Sequence, residues 1–415
     1  MQLSQDLTQR GLLEQLSDPT LPQQLDTTSL TVYAGFDPTA DSLHIGSLMP
    51  ILMLRRLQLA GHRPIALVGG ATGLVGDPSG KAEERKLLSR EEIEQNACAI
   101  EAQLRRFLDF SGPQAAALVN NADWFRDFRF LDFLRDVGKH FSLSAMLGKE
   151  SVKLRLEREQ GISYTEFSYM LVQAYDYLWL HDHSGCRLQI GATDQWGNIT
   201  AGIEFIRRVR QSPAYGFTHP LVVNADGKKF GKTEAGNVWL DVRRTSPYQM
   251  YQFFLNVDDR DVGRYLRYFT FLSLEEIAAL EGAEPGSRLA QRALAREVTT
   301  LVHGAEEAAR AADAASALFS GSAAVDFAAI GATAPHGEIA RARLVEGVAL
   351  IKLLQETGLS PSLGGARRDI GGGGIYVNEE RVGEIERVVK LDDLREDRFI
   401  LLRKGKKTYY LLTAV

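Results

Sequence analysis

The sequence predicts an α/β fold: a Rossmann-like parallel-sheet domain with a helical insertion, followed by an all-α domain and a small α+β domain. Three observations predict this order. Short β-rich segments alternate with amphipathic stretches through residues 1–225, a pattern typical of βαβ units. The periodicity is helical from 246 to 320, and residues 344–415 return to a mixture of helical and β-rich segments.

The elements of the first domain follow one another in a regular order. They are the strand LTVYAGF (30–36), a helix from about 46 to 60, the strand PIALVGG (64–70), a helix within 90–110, the strand AAALVN (115–120), the strand CRLQIG (186–191) and a helix near 195–210. Parallel sheets of this kind bind ligands at the carboxyl ends of their strands. The glycines of this sequence fall at those ends, so we expect the functional site there.

The remaining segments interrupt or follow this domain. Residues 125–180 are helical and rich in aromatic side chains, and we interpret about 125–165 as an insertion that forms a dimer surface. A lysine-rich loop spans 226–245, and Ser246 and Ser273 are expected to cap helices of the all-α domain. The stretch 321–343 is interpreted as an Ala- and Gly-rich linker, after which a helix is expected over 343–358.

Composition excludes several classes of protein. The chain has 415 residues and only two cysteines, Cys98 and Cys186, which fit neither a disulfide framework nor a cysteine-rich zinc site. No signal sequence is visible, and no apolar run approaches the ~18 residues of a membrane span. We place the histidines of HDH (181–183) in a polar turn and expect no metal there. A cytoplasmic protein is therefore expected.

The charge is unevenly distributed. The net charge is −5, which argues against coating nucleic acid by bulk charge. Residues 341–415, however, carry 14 basic and 11 acidic side chains, a net of +3, so the first 340 residues carry −8. This asymmetry predicts local basic patches near the end of the chain.

The stretch YAGFDPTADSLHIGS (33–47) reads as a strand end, a turn and the start of a helix. A helix start offers unpaired N–H groups and a positive dipole end, both of which suit phosphate. Gly46 lets a flat base or ribose lie against the backbone, while His44 and Thr39 can donate to phosphate oxygens. Taken alone, such a histidine is more often incidental.

Two further loops carry basic side chains. DGKKFGKT (226–233) presents three lysines, which alone are typical of a solvated turn but which can also close over a triphosphate. GGATGLVGDPSGKAEER (69–85) is not a P-loop, because the spacing before Lys81 is one residue short and Ala82 replaces the Ser/Thr that holds magnesium. It leaves a glycine-dense loop with Asp77, Lys81 and Arg85.

Together these stretches resemble the class I aminoacyl-tRNA synthetases. HIGS is similar to their HIGH motif and KFGKT to their KMSKS motif, about 185 residues apart. The stretches YTEFSYM, QAYDYL, QIGATDQWGNI and TSPYQMYQFF extend the resemblance to the bacterial tyrosyl-tRNA synthetases over almost the whole chain. The resemblance implies a homodimeric, cytoplasmic ligase that activates L-tyrosine with ATP, accompanied by Mg²⁺, and transfers it to tRNA(Tyr), with no protein-bound zinc and no membrane contact.

A tyrosine pocket must satisfy a phenol hydroxyl that both donates and accepts a hydrogen bond. Tyr33 and Asp176 can do so, and the resemblance places them at this hydroxyl. Tyr169, Gln173 and Asp176 stand at i, i+4 and i+7, so one helical face presents all three. The alternative is an aromatic core stripe with buried polar edges. The resemblance implies that the substrate ammonium group is held by Tyr169, Gln173, Gln195 and Asp77.

The resemblance also implies the remaining contacts. For ATP these are Gly35, Asp37, His44, Gly46, Ser47, Gly191, Asp194 and Lys232. For catalysis, at the phosphates and the leaving pyrophosphate, they are Thr39, His44, Lys81, Arg85, Lys229, Lys232 and Thr233. The segment from about 344 is similar to a small RNA-binding module also found in a ribosomal protein, with candidate phosphate contacts at Arg367, Arg368, Arg403, Lys404, Lys406 and Lys407.

Some positions depart from the family pattern, and two alternatives stay open. Ser47 replaces the second histidine of HIGH, Ala34 stands where relatives often carry a polar side chain, and Pro50 lies inside the first helix, which it can kink. One alternative is a catalytically silent relative that only binds RNA. The other is the related tryptophan enzyme, which the pair Tyr33 and Asp176 disfavours.

Overall fold

A computed structural model describes residues 2–79, 87–157, 161–233, 236–284, 286–319, 335–405 and 408–415. The chain forms two compact units, Met1–Asp241 with Asp258–Gly282, and Val242–Val257 with Ala283–Val415. The helical region expected over 246–320 therefore contributes helices to both units. Among the described helices, none combines the length and the apolar character needed to cross a membrane.

The first unit is built on a six-stranded sheet with the order β1-β6-β5-β2-β3-β4. Its strands are β1 (Gln15–Leu16), β2 (Thr31–Phe36), β3 (Arg63–Val68), β4 (Ala117–Asn120), β5 (Cys186–Ala192) and β6 (Tyr215–His219). All neighbours pair in parallel except β1, which runs antiparallel to β6 at the edge. The predicted parallel-sheet α/β fold is confirmed.

Helices precede, connect and follow the strands along the chain. They are α1 (Leu3–Gln9), α2 (Leu21–Thr27), α3 (Ile45–Leu59), α4 (Thr72–Val75), α5 (Arg90–Leu104), α6 (Ala122–Phe125), α7 (Phe130–Asp136), α8 (Leu143–Leu147), α9 (Glu150–Leu156), α10 (Tyr164–Ser184) and α11 (Trp196–Arg210). Pro50 lies inside α3, which nevertheless runs on to Leu59. One core cluster joins inner residues of β2 and β3 to α10 and α11 through Tyr33, Leu67, Tyr177 and Phe205.

The prediction of a polar turn at 181–183 was wrong. Helix α10 continues through these residues and ends only where Gly185 takes the left-handed conformation, with φ 62°. The two ring nitrogens of His181 form hydrogen bonds with Asp182 and Ser212, both at 3.0 Å, near the end of the helix. The described residues contain no group of three or more His, Cys, Asp or Glu side chains that could hold a metal ion.

Short elements complete the first unit. The loop after β6 carries β7 (Lys232–Thr233) and β8 (Gly236–Asn237), which pair antiparallel. After α12 (Pro247–Leu255), which belongs to the second unit, the chain returns as α13 (Asp259–Phe269) and α14 (Leu274–Glu281). Ser246 and Ser273 cap α12 and α14 as predicted, each in a capping box with the residue three positions later.

The second unit combines a helical part with an α+β part. Helices α12, α15 (Leu289–His303) and α16 (Ala305–Phe319) pack on one another. The α+β part contains β9 (His336–Ile339), α17 (Arg341–Glu346), β10 (Val348–Ala349), α18 (Leu350–Glu356), α19 (Leu363–Gly371), β11 (Ile375–Val377), β12 (Glu380–Val382), β13 (Val388–Val389), β14 (Phe399–Lys404) and β15 (Thr408–Ala414). Its main sheet has the order β12-β11-β14-β15-β9.

The single helix expected over 343–358 is divided in two. Gly347, with φ 85°, ends α17, and the next two residues form β10, which pairs with β13. A positive φ strains residues that carry a Cβ, so the glycine breaks a pattern that otherwise has helical periodicity. Strand β9 and the start of α17 fall within the stretch 321–343 that the sequence indicated as a linker, and residues 320–334 lie outside the described part of the chain.

Candidate active site

A cavity of about 630 Å³ opens at the carboxyl ends of the parallel strands. The end of β2, the end of β5 and the start of α3 form its walls, together with the loop that follows β6. It brings together most of the side chains that the sequence pointed to. Those that line it are Tyr33, Gly35, Asp37, Thr39, His44, Gly46, Ser47, Asp77, Tyr169, Gln173, Asp176, Gly191, Asp194, Gln195 and Lys229.

His44 forms the N-cap of α3 at one side of the cavity. Its Nδ1 accepts a hydrogen bond from the backbone N–H of Gly46 at 3.0 Å. In the neutral ring the proton therefore sits on Nε2, which leaves a donor suited to a phosphate oxygen. A Cβ at Gly46 would lie 2.8 Å from the imidazole Cε1, so the glycine leaves room for the ring in this cap.

Tyr33 and Asp176 both line the cavity and are buried. The Tyr33 hydroxyl is buried and has no hydrogen-bond partner among the described residues, and burial raises its pKa well above the usual value. Burial also raises the pKa of Asp176 to about 8. The Asp176 carboxyl accepts hydrogen bonds from Asn121 Nδ2 at 3.1 Å and from Trp124 Nε1 at 2.9 Å, which lower its pKa and fix its orientation.

A hydrogen-bonded chain leads from Asp176 across the floor of the cavity. Asn121 also donates to Thr72 Oγ1 at 3.1 Å and accepts from the Ala71 N–H at 2.6 Å. The Thr72 hydroxyl donates to Asp37 Oδ1 at 2.7 Å, and the Tyr169 hydroxyl donates to Asp37 Oδ2 at 2.9 Å. The structure therefore places Asp37 against a tyrosine-pocket residue, on the side where the sequence analysis put the ammonium group.

A second set of hydrogen-bonded polar side chains accompanies the pair formed by Tyr169 and Asp37. Gln195 Nε2 donates to Asp77 Oδ2 at 2.7 Å, and Asn198 Nδ2 donates to Gln173 Oε1 at 3.0 Å. Gln189 is also buried in the cavity wall, and its Oε1 has no hydrogen-bond partner among the described residues. Carboxylate and amide oxygens line this part of the cavity, and such oxygens can accept hydrogen bonds from an ammonium group.

The sequence analysis missed five of these residues. Asn121, Trp124, Thr72 and Asn198 bond the predicted side chains, and Gln189 lines the cavity. Asn121 directly follows β4, so its place at the carboxyl end of a strand was a usable signal. Trp124 stands one turn further on, and nothing local distinguishes it from a core aromatic residue.

The lysine loop approaches the cavity from the side of α3. Lys229 lines the cavity, and Lys232 and Thr233 form β7 through their backbone. Asp194 lies in a short 3₁₀ turn between β5 and α11, beside Gly191. Lys81 and Arg85 lie outside the described residues.

The candidate RNA contacts lie in the second unit. Arg367 and Arg368 are exposed on α19. Arg403 is engaged within the domain, because its guanidinium lies 3.5 Å from the centre of the Tyr376 ring and 3.0 Å from Glu379. Lys404 forms an ion pair with Asp369 at 2.8 Å. Lys406 and Lys407 lie outside the described residues.

Comparison with known proteins agrees with this architecture. The model of the class I tRNA synthetases (W and Y) matches residues 25–320, and that of the tyrosine--tRNA ligase SYY-like C-terminal domain matches 334–412. The chain is 52% identical to the tyrosine--tRNA ligase of Opitutus terrae, with 100% of both chains covered. It is 53% identical to that of Roseiflexus castenholzii, with 99% of both covered. Among solved structures it is similar to a C-terminally truncated mitochondrial tyrosyl-tRNA synthetase of Aspergillus nidulans, with TM-score 0.69, 32% identity, and 77% of this chain and 94% of that chain covered.

The parallel sheet, the helix start at His44 and the lysine loop thus define a class I aminoacyl-tRNA synthetase of the tryptophan and tyrosine branch. Within that branch the chain belongs to the tyrosine–tRNA ligase family. The resemblance drawn from the sequence motifs is confirmed.

Proposed function

We propose that the cavity activates L-tyrosine with ATP and then transfers the tyrosyl group to the 3′-terminal adenosine of tRNA(Tyr). In the first step a tyrosine carboxylate oxygen bonds to the α-phosphorus of ATP and the bond to pyrophosphate breaks, giving tyrosyl-adenylate. In the second step the terminal ribose hydroxyl takes the tyrosyl group and AMP leaves. The observation that carries the proposal is that the Tyr33 hydroxyl and the Asp176 carboxyl, both buried, line the same cavity.

This pair accounts for selection of tyrosine. The substrate hydroxyl donates to Asp176 and accepts from Tyr33, so the unpartnered Tyr33 hydroxyl gains a partner on binding. Phenylalanine would leave the Tyr33 hydroxyl unpaired and would add no partner to Asp176, which Asn121 and Trp124 already bond. An unpaired buried polar group costs about 1–3 kcal/mol. Indole cannot replace the phenol, because its N–H donates but does not accept.

The other end of the cavity is proposed to act by alignment and charge stabilisation. No enzyme nucleophile is required, since the substrate carboxylate is itself the attacking group. We propose that His44 Nε2–H and Thr39, which line the cavity, meet phosphate oxygens. Lys229, with Lys232, Thr233, Lys81 and Arg85, would stabilise the leaving pyrophosphate. Mg²⁺ would arrive bound to ATP as part of the substrate.

Tyrosine-dependent exchange of label between pyrophosphate and ATP tests the proposed chemistry. We expect exchange with tyrosine and little with tryptophan or phenylalanine, because only a phenol hydroxyl satisfies both Tyr33 and Asp176. Exchange that requires tryptophan would reassign the pocket. A folded chain that binds RNA without any exchange would be the catalytically silent relative instead.

The tRNA contacts and the assembly are proposals as well. Arg367 and Arg368 are exposed on one helix of a domain whose family model belongs to a tRNA ligase, and we propose that they contact tRNA phosphates, with Arg403, Lys404, Lys406 and Lys407 as further candidates. We further propose a homodimer, joined through the apolar surface of the insertion. Exposed fractions there reach 74% for Leu131 and 67% for Leu143. The cytoplasm, which holds ATP and tRNA, is the proposed location.

A further inference from the structure

The residues that follow the lysine loop lie alongside the start of α3. We call residues 238–241 the return segment and residues 42–45 the helix-start segment. The return segment directly follows β8, whose partner β7 carries Lys232. It then pairs antiparallel with the helix-start segment, with Trp239 opposite His44. The backbone that positions Lys232 is therefore continuous with the backbone that flanks His44.

Hydrogen bonds on both sides of Trp239 fix this pairing. The Ile45 N–H donates to the Val238 carbonyl at 2.8 Å, and the Leu240 N–H donates to the Leu43 carbonyl at 2.8 Å. Val238, Leu240, Leu43 and Ile45 are all buried, so water does not compete for these bonds. Buried backbone hydrogen bonds of this kind hold a segment in one register.

A buried amide secures the outer end of the pairing. The Ser42 hydroxyl oxygen accepts a hydrogen bond from the Asp241 N–H at 3.2 Å and another from Gln103 Nε2 at 3.0 Å. Gln103 Oε1 accepts from the Leu43 N–H at 2.9 Å. The helix-start segment is thus bonded to the return segment on one side and to α5 on the other.

The glycine of the lysine loop closes the inner end. The Gly231 carbonyl accepts a hydrogen bond from the Val238 N–H at 2.9 Å. With φ 87°, Gly231 holds a conformation that suits glycine, and a Cβ there would lie 2.2 Å from Ile45 Cγ2. The loop therefore rests directly on the first residue of α3.

The Trp239 ring lies against the imidazole of His44. The ring centroids are 6.3 Å apart and the planes meet at 69°, an edge arrangement, and Trp239 lines the cavity. His44 is exposed at the helix start, and its Nδ1 accepts a hydrogen bond from the Gly46 N–H. A large indole beside it limits the rotamers open to the imidazole.

We infer that Trp239 is a positioning residue for the adenylation step: it acts through His44, holding the imidazole where Nε2–H meets the ATP phosphates. The inference rests on the proposed function, because it assigns the orientation of a group that the reaction uses. Trp239 itself is not assigned a contact with the reacting atoms. A misplacement of about 1 Å at such a site can lower the rate by about 100-fold.

A double-variant cycle on the full chain tests the inference. Trp239→Ala, Trp239→Leu, Trp239→Phe, His44→Ala and the combined variants are compared in tyrosine-dependent pyrophosphate exchange, with tyrosine binding and melting temperature recorded for each. We expect Trp239→Ala to lower kcat by about 10- to 100-fold, with tyrosine binding unchanged, and Trp239→Phe to restore most of the rate. Trp239→Leu keeps a large apolar side chain but removes the aromatic ring. It therefore tests the effect of the ring on His44 if the alanine variant does not fold.

The cycle separates a positioning role from a structural one. If Trp239 acts through His44, adding any of the three Trp239 substitutions to His44→Ala lowers kcat little further. Losses that multiply in the combined variants, or a parallel loss of tyrosine binding, would overturn the inference while the wild type stays active. An inactive wild type removes the proposed reaction, and the inference with it.

Discussion

At the scale of single residues, the site depends on buried polar groups whose partners are distant in sequence. Asp176 is held by Asn121 and Trp124, which stand more than fifty positions before it. The Tyr33 hydroxyl has no hydrogen-bond partner among the described residues, and we propose that the substrate hydroxyl supplies one. Such groups are costly in the free protein, and the cost is recovered when a complementary substrate binds.

His219 gives the free protein a pH-dependent stability. It is buried at the end of β6, its Nδ1–H donates to the Pro220 carbonyl at 3.0 Å, and burial lowers its pKa to about 4. The unfolded chain binds a proton at His219 near pH 6.5, whereas the folded chain does not until about pH 4. The contribution of His219 to the free energy of unfolding is therefore fully present above about pH 6.5. It is lost as the pH falls toward 4, by up to about 3 kcal/mol.

Urea unfolding of the wild type and His219→Leu between pH 7 and pH 4 measures this contribution. We expect the wild type to lose up to about 3 kcal/mol more than the variant over that range. His183→Gln, at an exposed position, controls for removal of an imidazole as such. Equal losses in the wild type and in His219→Leu would show that the buried imidazole is not the cause.

At the scale of elements, helix caps could be predicted from a few consecutive residues, whereas the pairing of short segments distant in sequence could not. Ser246 and Ser273 could be assigned as caps because a capping box lies within four consecutive residues. The division of 343–358 could not be predicted from periodicity, since it depends on Gly347 and on pairing of β10 with the distant β13. The polar face of α10 could likewise be predicted from spacing within one helix. Asn121, which contacts that face from a distant part of the sequence, could not.

The helix-start and return segments show how two motifs become one site. Both motifs were visible in the sequence, but nothing in either one indicated that residues 238–241 pair with residues 42–45. The sequence pattern of the return segment is a short apolar run, which is equally typical of an ordinary core strand. Only the fold brings Trp239 beside His44.

At the scale of the whole molecule, an apolar surface remains on the first unit. Phe130, Leu131, Leu143 and Tyr164 are each at least 64% exposed, and they lie within 35 consecutive residues. Large exposed apolar groups concentrated in one region are typical of protein contacts. In the proposed homodimer a second copy of the chain would supply a matching apolar surface, because a two-fold axis brings the same patch of both subunits together.

Sedimentation at micromolar concentration tests the proposed dimer. We expect the wild type to sediment as a dimer and Leu131→Lys to shift it toward the monomer, because a charge buried without a partner opposes association. Leu289→Lys, at an exposed apolar position of the second unit, is the matched control and should leave the assembly unchanged. A wild type that stays monomeric would contradict the dimer, as would equal effects of the two substitutions.

The proposed function depends most on one feature: recognition of the substrate hydroxyl by the buried side chains of Tyr33 and Asp176. The most direct test compares kcat/KM for adenylation of tyrosine and of phenylalanine in the wild type and in Tyr33→Phe. We expect the substitution to lower the value for tyrosine by about tenfold, the worth of one hydrogen bond, and to leave the low value for phenylalanine unchanged. Equal losses for both substrates, or no loss for tyrosine, would contradict the assignment.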